Sequence, residues 1–146
     1  MTADSTEPTA GDLQEGLIAF VRAFGLHQPD RTPCGQPVPV SEAHALGDLL
    51  QHGTSPQLDL GRRLRLEKST VSRLVGQLAA RGWVERVPNP DDARSVRVAL
   101  TPAGRTAAGD LAAARAARFE SLLAAVPESE RDGVLRALRT LTEALQ

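Results

Sequence analysis

The sequence predicts a mainly α fold with one small two-stranded β hairpin, and three observations carry that reading. Leucine, valine and phenylalanine recur three and four residues apart through most of the chain, which is the period of an amphipathic helix. Only WVERV (Trp83–Val87) and SVRVAL (Ser95–Leu100) change to strand-like alternation, with the exposed turn PNPDDAR between them. Serine or threonine, proline and glycine punctuate the periodic stretches where helices start and stop. At 146 residues the chain suits one domain, or one domain with an oligomerising extension.

The elements follow in order. GDLQEGLIAFVRAFGLH places Leu13, Leu17, Phe20, Val21 and Phe24 on one helical face. QPDRTPCGQPVP, with four prolines in twelve residues, is a loop. Ser41 is expected to cap a helix carrying Leu46, Leu49 and Leu50 and ending at Gly53. Ser55 and Pro56 read as cap and first residue of a short helix with Leu58, Leu60 and Leu64, ending near Leu66. In the next helix Val71, Leu74, Val75 and Leu78 share the core face, and Gly82 stops it. After the two strands, Thr101 and Pro102 start a long alanine-rich helix that Pro127 breaks. A last helix sets Val134, Leu138, Leu141 and Leu145 in a narrow seam. Two helices with a tight turn and then a hairpin make a winged helix-turn-helix, flanked by a helical dimerisation region. The expected division is 11–40 for an N-terminal dimerisation helix and loop, 41–101 for the winged unit and 102–146 for C-terminal dimerisation helices.

Net charge is −1, but it is unevenly spread. Residues 1–60 sum to −6 and residues 98–146 to zero. Residues 61–97 carry nine cations against four acids, a net of +5. A basic middle between acidic and neutral flanks is the footprint expected for a polyanion. The helix after Glu67 agrees with it. Opposite its apolar face stand Ser69, Ser72, Arg73 and Gly76, with Thr70 and Gln77 to one side and Lys68 at its edge. Small hydroxyls with one guanidinium suit base edges and phosphates in a major groove of double-stranded DNA, with Gly76 keeping that face low. A protein-binding winged helix is the alternative, but it would expose aromatic or aliphatic anchors there.

LGRRLRLEKSTVSRLVGQLAARGWVERVPNPDDARSVRVALTPAG, about a third of the chain, resembles the central signature of the MarR family of bacterial transcriptional regulators. The likeness rests on the STV recognition helix, its Arg-Gly end, the Asp-x-Arg wing and the Leu-Thr start of the following helix. It implies a homodimer on a pseudo-palindromic, inverted-repeat operator, usually a repressor relieved by a small ligand or an oxidant. By position Ser69, Thr70, Ser72, Arg73 and Gln77 match recognition-helix residues. Asp92 and Arg94 match the wing's acid and its minor-groove arginine, the acid orienting the arginine. Two departures stand out: Glu67 sits where the family often has a good helix cap, and Trp83, read mainly as core, replaces a smaller apolar residue.

A sensor is less legible. His27, Cys34 and His44 cluster in or beside the first loop, and three such ligands would in principle make a metal site. The resemblance implies that a zinc-sensing member would also carry ligands on the helix after the wing; the helix after Thr101 has no histidine, so satisfied structural histidines are expected and no metal. Cys34 invites an oxidant-sensing reading, with Arg31 near enough to favour its thiolate, yet an ordinary loop thiol is expected. His52 precedes Gly53 and suits the negative end of its helix. No Gly-rich phosphate loop, paired carboxylates or nucleophile beside a base appears, so neither an enzyme nor a cofactor is expected. The polar start MTADSTEPTAGD does not read as a signal peptide, and no apolar run reaches membrane-spanning length. With one cysteine and no disulfide framework, the expected location is the cytoplasm.

Overall fold

A computed structural model describes residues 7–146. Residues 1–6, half of the polar start in which no signal peptide is expected, lie outside them. Six helices and three short strands follow in the order α1 (Ala10–Phe24), α2 (Val40–His52), β1 (Ser55–Pro56), α3 (Gln57–Leu64), α4 (Lys68–Ala80), β2 (Val84–Pro88), β3 (Val96–Leu100), α5 (Pro102–Ala125) and α6 (Glu128–Ala144). The mainly α class with a β wing is as the sequence predicts. The sheet has an extra strand: β1 pairs with β3 on the side away from β2, giving the antiparallel order β1-β3-β2.

Helix starts obey local chemistry at two ends and depart from it at two others. Thr9 caps α1, its hydroxyl accepting from the Asp12 N–H while the Asp12 carboxylate accepts from the Thr9 hydroxyl and N–H. Those bonds hold the Asp12 carboxyl below its ordinary pKa. Thr101 caps α5 through the Gly104 N–H, with Pro102 in the first turn as expected. Ser41, by contrast, is not a cap. Helix α2 begins two residues earlier than that cap implies, at Val40, because Pro39 already holds φ −56° and its carbonyl accepts the Ala43 N–H.

Ser55 and Pro56 do not start a helix either. Their backbone is taken by β3, with Ser55 opposite Val98, so Pro56 stands at the cap position of α3 and not inside it. The Ser55 hydroxyl is committed elsewhere, donating to the Gly53 carbonyl at 2.9 Å and accepting from Arg63 Nη2 at 2.9 Å. Helix α3 closes at Leu64, where Arg65 takes the left-handed conformation (φ 54°) and makes the tight turn into α4.

One core collects the predicted apolar faces. Leu46 and Leu49 of α2, Leu60 of α3, Val71, Leu74, Val75 and Leu78 of α4, and Val84, Val98 and Leu100 of the sheet are buried together. Each fully buried Leu or Val is worth roughly 1.5–3 kcal/mol. The core runs on into α5 through Ala108 and Leu111. Helices α1 and α6 contribute no buried residue, and Leu13, Leu17, Phe20, Val134 and Leu138 stand exposed.

The first turn of α5 touches the chain just beyond α4. The Thr101 hydroxyl donates to the Gly82 carbonyl at 2.6 Å, and the Thr101 N–H to the Trp83 carbonyl at 3.0 Å. Beside them a Cβ on Gly104 would lie 1.8 Å from the Trp83 carbonyl oxygen, so only glycine fits. We therefore expect Gly104→Ala to destabilise the fold by about 3 kcal/mol, because backbone must move to admit one methyl group. Urea unfolding of the variant checks this, and a loss below about 1 kcal/mol would contradict the close packing.

Candidate nucleic-acid interface

The apolar face of α4 is anchored in the core, which leaves the opposite face outward. Lys68, Ser69, Ser72, Arg73 and Gln77 are exposed and Thr70 is half-buried, as the helical spacing requires. The start of α4 carries no side-chain cap: Glu67 lends only its carbonyl, to the Val71 N–H. Uncapped N–H groups at an exposed helix start are available to an anion.

Between α3, α4 and the wing runs an open groove of about 540 Å³. Lys68 and Ser72 line it from the helix, and Arg94 and Val96 from the wing. Ser69, Thr70, Arg73 and Gln77 are not among its lining residues, and Asp92 stays at the wing tip. The predicted residues thus form two surfaces, a groove and the free helix face.

The wing tip is a hydrogen-bonded turn. Asp92 Oδ1 accepts from the Arg94 backbone N–H at 2.9 Å, and the two side chains form no ion pair among the described residues. The acid therefore orients the backbone beneath the arginine and leaves the guanidinium unpaired among the described residues. Asn89 and Ser95, which sequence reasoning missed, complete the turn. Asn89 accepts from the Asp91 N–H at 3.0 Å and donates to Ser95 Oγ at 2.7 Å. Their signal was present in PNPDDAR, a run of residues that bond their own backbone.

The basic footprint is smaller than its count. Of the nine cations in residues 61–97, Arg62 pairs with Asp59, Arg63 with Asp48 and Arg81 with Glu42. Arg63 grips Asp48 with Nε and Nη2 at 2.6–3.0 Å, fastening α3 to α2, and those bonds raise its pKa. Arg86 and Arg97 donate to main-chain carbonyls, those of Ser72 and Thr54. Arg65, Lys68, Arg73 and Arg94 remain without a side-chain partner among the described residues. Lys68 and Arg94 line the groove, Arg73 stands on the exposed face of α4, and Arg65 is in the turn before it. Sequence counting could not separate them, because Asp48 and Glu42 lie outside the basic segment.

Arg81 ends α4 and lies 5.0 Å over the Trp83 ring. Its Nε comes within 2.6 Å of Glu42 Oε2, a charge contact whose N–H is not aligned on that buried oxygen. Trp83 packs half-buried against the core and does not line the cavity described next.

That cavity, about 110 Å³, lies between α2, α5 and the proline-rich loop. Phe24, Leu111 and Phe119 give it apolar walls, and His44, Arg115 and Arg118 stand at its polar side. Arg115 rests on the bare backbone of Gly47, where a Cβ would lie 3.4 Å from Nη1. Cys34 also lines it, with Sγ 2.9 Å from the Thr32 hydroxyl. His27 and His44 are exposed and form no hydrogen bond among the described residues, so they are not the satisfied structural histidines the sequence predicts. His27 lies in the exposed turn after α1, and His44 on the outward side of α2, whose inner face is filled by Ala45, Leu46 and Leu49. No three of His, Cys, Asp and Glu converge among the described residues. His52 Nδ1 stays in the last turn of α2, 3.1 Å from the Asp48 carbonyl.

This architecture has close counterparts. The family model described as MarR matches residues 38–96. An HTH-type transcriptional regulator of Mycobacterium tuberculosis is 34% identical over 145 residues, covering 97% of this chain and 95% of the relative. The multiple antibiotic resistance protein MarR of Escherichia coli is 40% identical over 47 residues, 32% of this chain and 33% of that one. Among solved structures, Streptococcus pneumoniae FabT in complex with DNA superposes with a TM-score of 0.78 at 20% identity, covering 94% of this chain and 97% of that one. A probable transcriptional regulator from Pseudomonas aeruginosa has a TM-score of 0.73 at 27% identity, covering 92% and 98%. No helix among the described residues is long and apolar enough to cross a membrane. With its helix-turn-helix, wing and flanking helices in this arrangement, and with a mycobacterial regulator matched along nearly its whole length, the chain belongs to the MarR family of transcriptional regulators.

Proposed function

We propose that this regulator is a cytoplasmic repressor that binds an inverted-repeat operator as a homodimer and is released by a small organic anion. The observation that carries it is the coincidence of unpaired cations with an unobstructed helix. Lys68, Arg73 and Arg94 have no acidic partner among the described residues, and they flank the exposed hydroxyls of Ser69 and Ser72. In this reading Ser69, Thr70, Ser72, Arg73 and Gln77 face the major groove. Arg94, set by the turn at Asp92, enters the narrow minor groove, where a guanidinium fits well. FabT and Staphylococcus aureus MepR, which share the fold, have been solved with DNA.

Arg73→Ala should cost about 1–3 kcal/mol on the operator and relax preference at one base pair per half-site. Lys68→Ala should weaken operator and random DNA alike and lower the salt slope by about one unit per site. Filter binding across a salt series separates the two. Equal losses for Arg73→Ala on both DNAs would reduce it to a phosphate contact.

Residues 11–40 and 102–146 supply the dimer contacts in this reading. Leu13, Leu17 and Phe20 of α1 and Val134, Leu135 and Leu138 of α6 stand exposed among the described residues, and an exposed patch of this kind marks an interface. Two recognition helices would then stand about 34–36 Å apart, one helical turn of DNA. Analytical ultracentrifugation at micromolar concentration should show a dimer, and a stable monomer would refute the assignment.

The effector site is the cavity between α2 and α5. Aromatic walls at Phe24 and Phe119 with the Arg115 guanidinium against Gly47 suit a flat ring bearing a carboxylate. One protein of this fold fits that chemistry: Bordetella bronchiseptica BpsR, whose DNA binding is regulated by 6-hydroxynicotinic acid. Streptomyces coelicolor PcaV, also of this fold, has been solved with its natural ligand. Cys34 and His44 are wall residues in this scheme and not a redox or metal switch. In calorimetry against a panel of aromatic carboxylates, Arg115→Met should weaken binding about tenfold, whereas unchanged affinity would place the anion elsewhere.

A further inference from the structure

Most of the wing stands clear of the core. Val84, Val98 and Leu100 bury its base, but between Glu85 and Arg97 no residue is buried. Two guanidiniums cross from this hairpin to the helix-turn-helix. Arg97 of β3 donates to the Thr54 carbonyl at 3.2 Å, just ahead of β1 and α3. Arg86 of β2 donates through Nη2 to the Ser72 carbonyl at 3.1 Å, in the middle of α4. A Cβ on Gly76 would lie 3.9 Å from the same Nη2, so the guanidinium lies against helix backbone left bare by glycine. Neither arginine has a carboxylate partner among the described residues. A carbonyl already bonded within the helix has a second lone pair to accept such a donor.

We infer that Arg86 is a specificity-determining positioning residue: it locks the rotation and offset of the recognition helix relative to the wing. The inference rests on the DNA-binding reading above. Sequence readout needs two reporters in register, the α4 face in one groove and Arg94 in the next. A displacement near 0.5 Å is enough to spoil such a constellation. Nonspecific binding needs only positive charge near phosphates and tolerates that slack. Arg86 therefore governs the ratio of specific to nonspecific affinity more than affinity itself. It also gives Gly76 a role within the protein, as the flat seat for this guanidinium.

The test compares wild type, Arg86→Met and Arg86→Lys on two DNAs: a fragment enriched from a random pool by the wild type, and its scrambled counterpart. Arg86→Met should lose about tenfold on the enriched fragment and less than about threefold on the scrambled one, with the salt slope unchanged. Arg86→Lys keeps a donor of similar reach and should recover most of the difference. Equal loss on both DNAs, with a salt slope lower by about one per half-site, would make Arg86 a phosphate contact and overturn the inference. Hydrogen exchange without DNA separates the brace from the DNA reading. Wing amides between Val87 and Val96 should exchange faster in Arg86→Met than in wild type at equal melting temperature. Unchanged exchange would overturn the brace even if operator binding fell. Failure of the wild type to enrich any sequence would instead remove the DNA reading, and the specificity role with it.

Discussion

The rest of the molecule depends on the burial of one side of α4. Val71, Leu74, Val75 and Leu78 sink into the space between α2, α3 and the base of the sheet. An isolated helix of thirteen residues is marginal in water, so this burial is what makes α4 a helix at all. It also sets the helix rotation. With four apolar side chains committed inward, Ser69, Ser72 and Arg73 have nowhere to point but out. The exposed face is thus a geometric consequence of the core, and its chemistry was free to be shaped for a partner.

Charge is organised around the same helix by subtraction. Arg63 and Arg81 are taken up by Asp48 and Glu42, both from α2, and these pairs tie α2 to the last turn of α3 and to the end of α4. Arg86 and Arg97 are taken up by carbonyls. What remains without a partner among the described residues is a small set, Arg65, Lys68, Arg73 and Arg94. A guanidinium serves both uses because its planar donors match a carboxylate or a carbonyl as readily as a phosphate. The basic segment is therefore partly scaffold, and its net charge overstates the interface.

Helix α5 joins the two ends of this arrangement. Its first turn, through Thr101 and Gly104, is wedged against Gly82 and Trp83 at the end of the recognition helix. Further along, Leu111, Arg115 and Phe119 form one wall of the cavity, opposite α2. Helix α2 likewise reaches both places, through Glu42 toward Arg81 and through His44 and Gly47 at the cavity. A ligand that separates those walls would act on two elements that both hold the C-terminal end of α4. Coupling of this kind requires a difference in ligand affinity between two packings of α2 and α5.

Much was already legible in the sequence. The helix periods, the Thr101–Pro102 start, the Gly53 and Gly82 stops and the alternation of Val98 with Leu100 are local properties, fixed by spacing and backbone preference. The outward set on α4 followed from the same periodicity. What failed was local reasoning where a distant segment competes for the same atoms. Ser55 had the signature of a cap, but β3 claims its backbone and Arg63 its hydroxyl. Ser41 had the signature too, but Pro39 had already set the turn. The pairing of Arg81 with Glu42, the seat of Arg86 on Gly76 and the cavity between α2 and α5 join residues far apart in the chain. Periodicity says which side of a helix is apolar; only packing decides which other side chain meets it, because partner choice depends on distances that sequence separation does not encode.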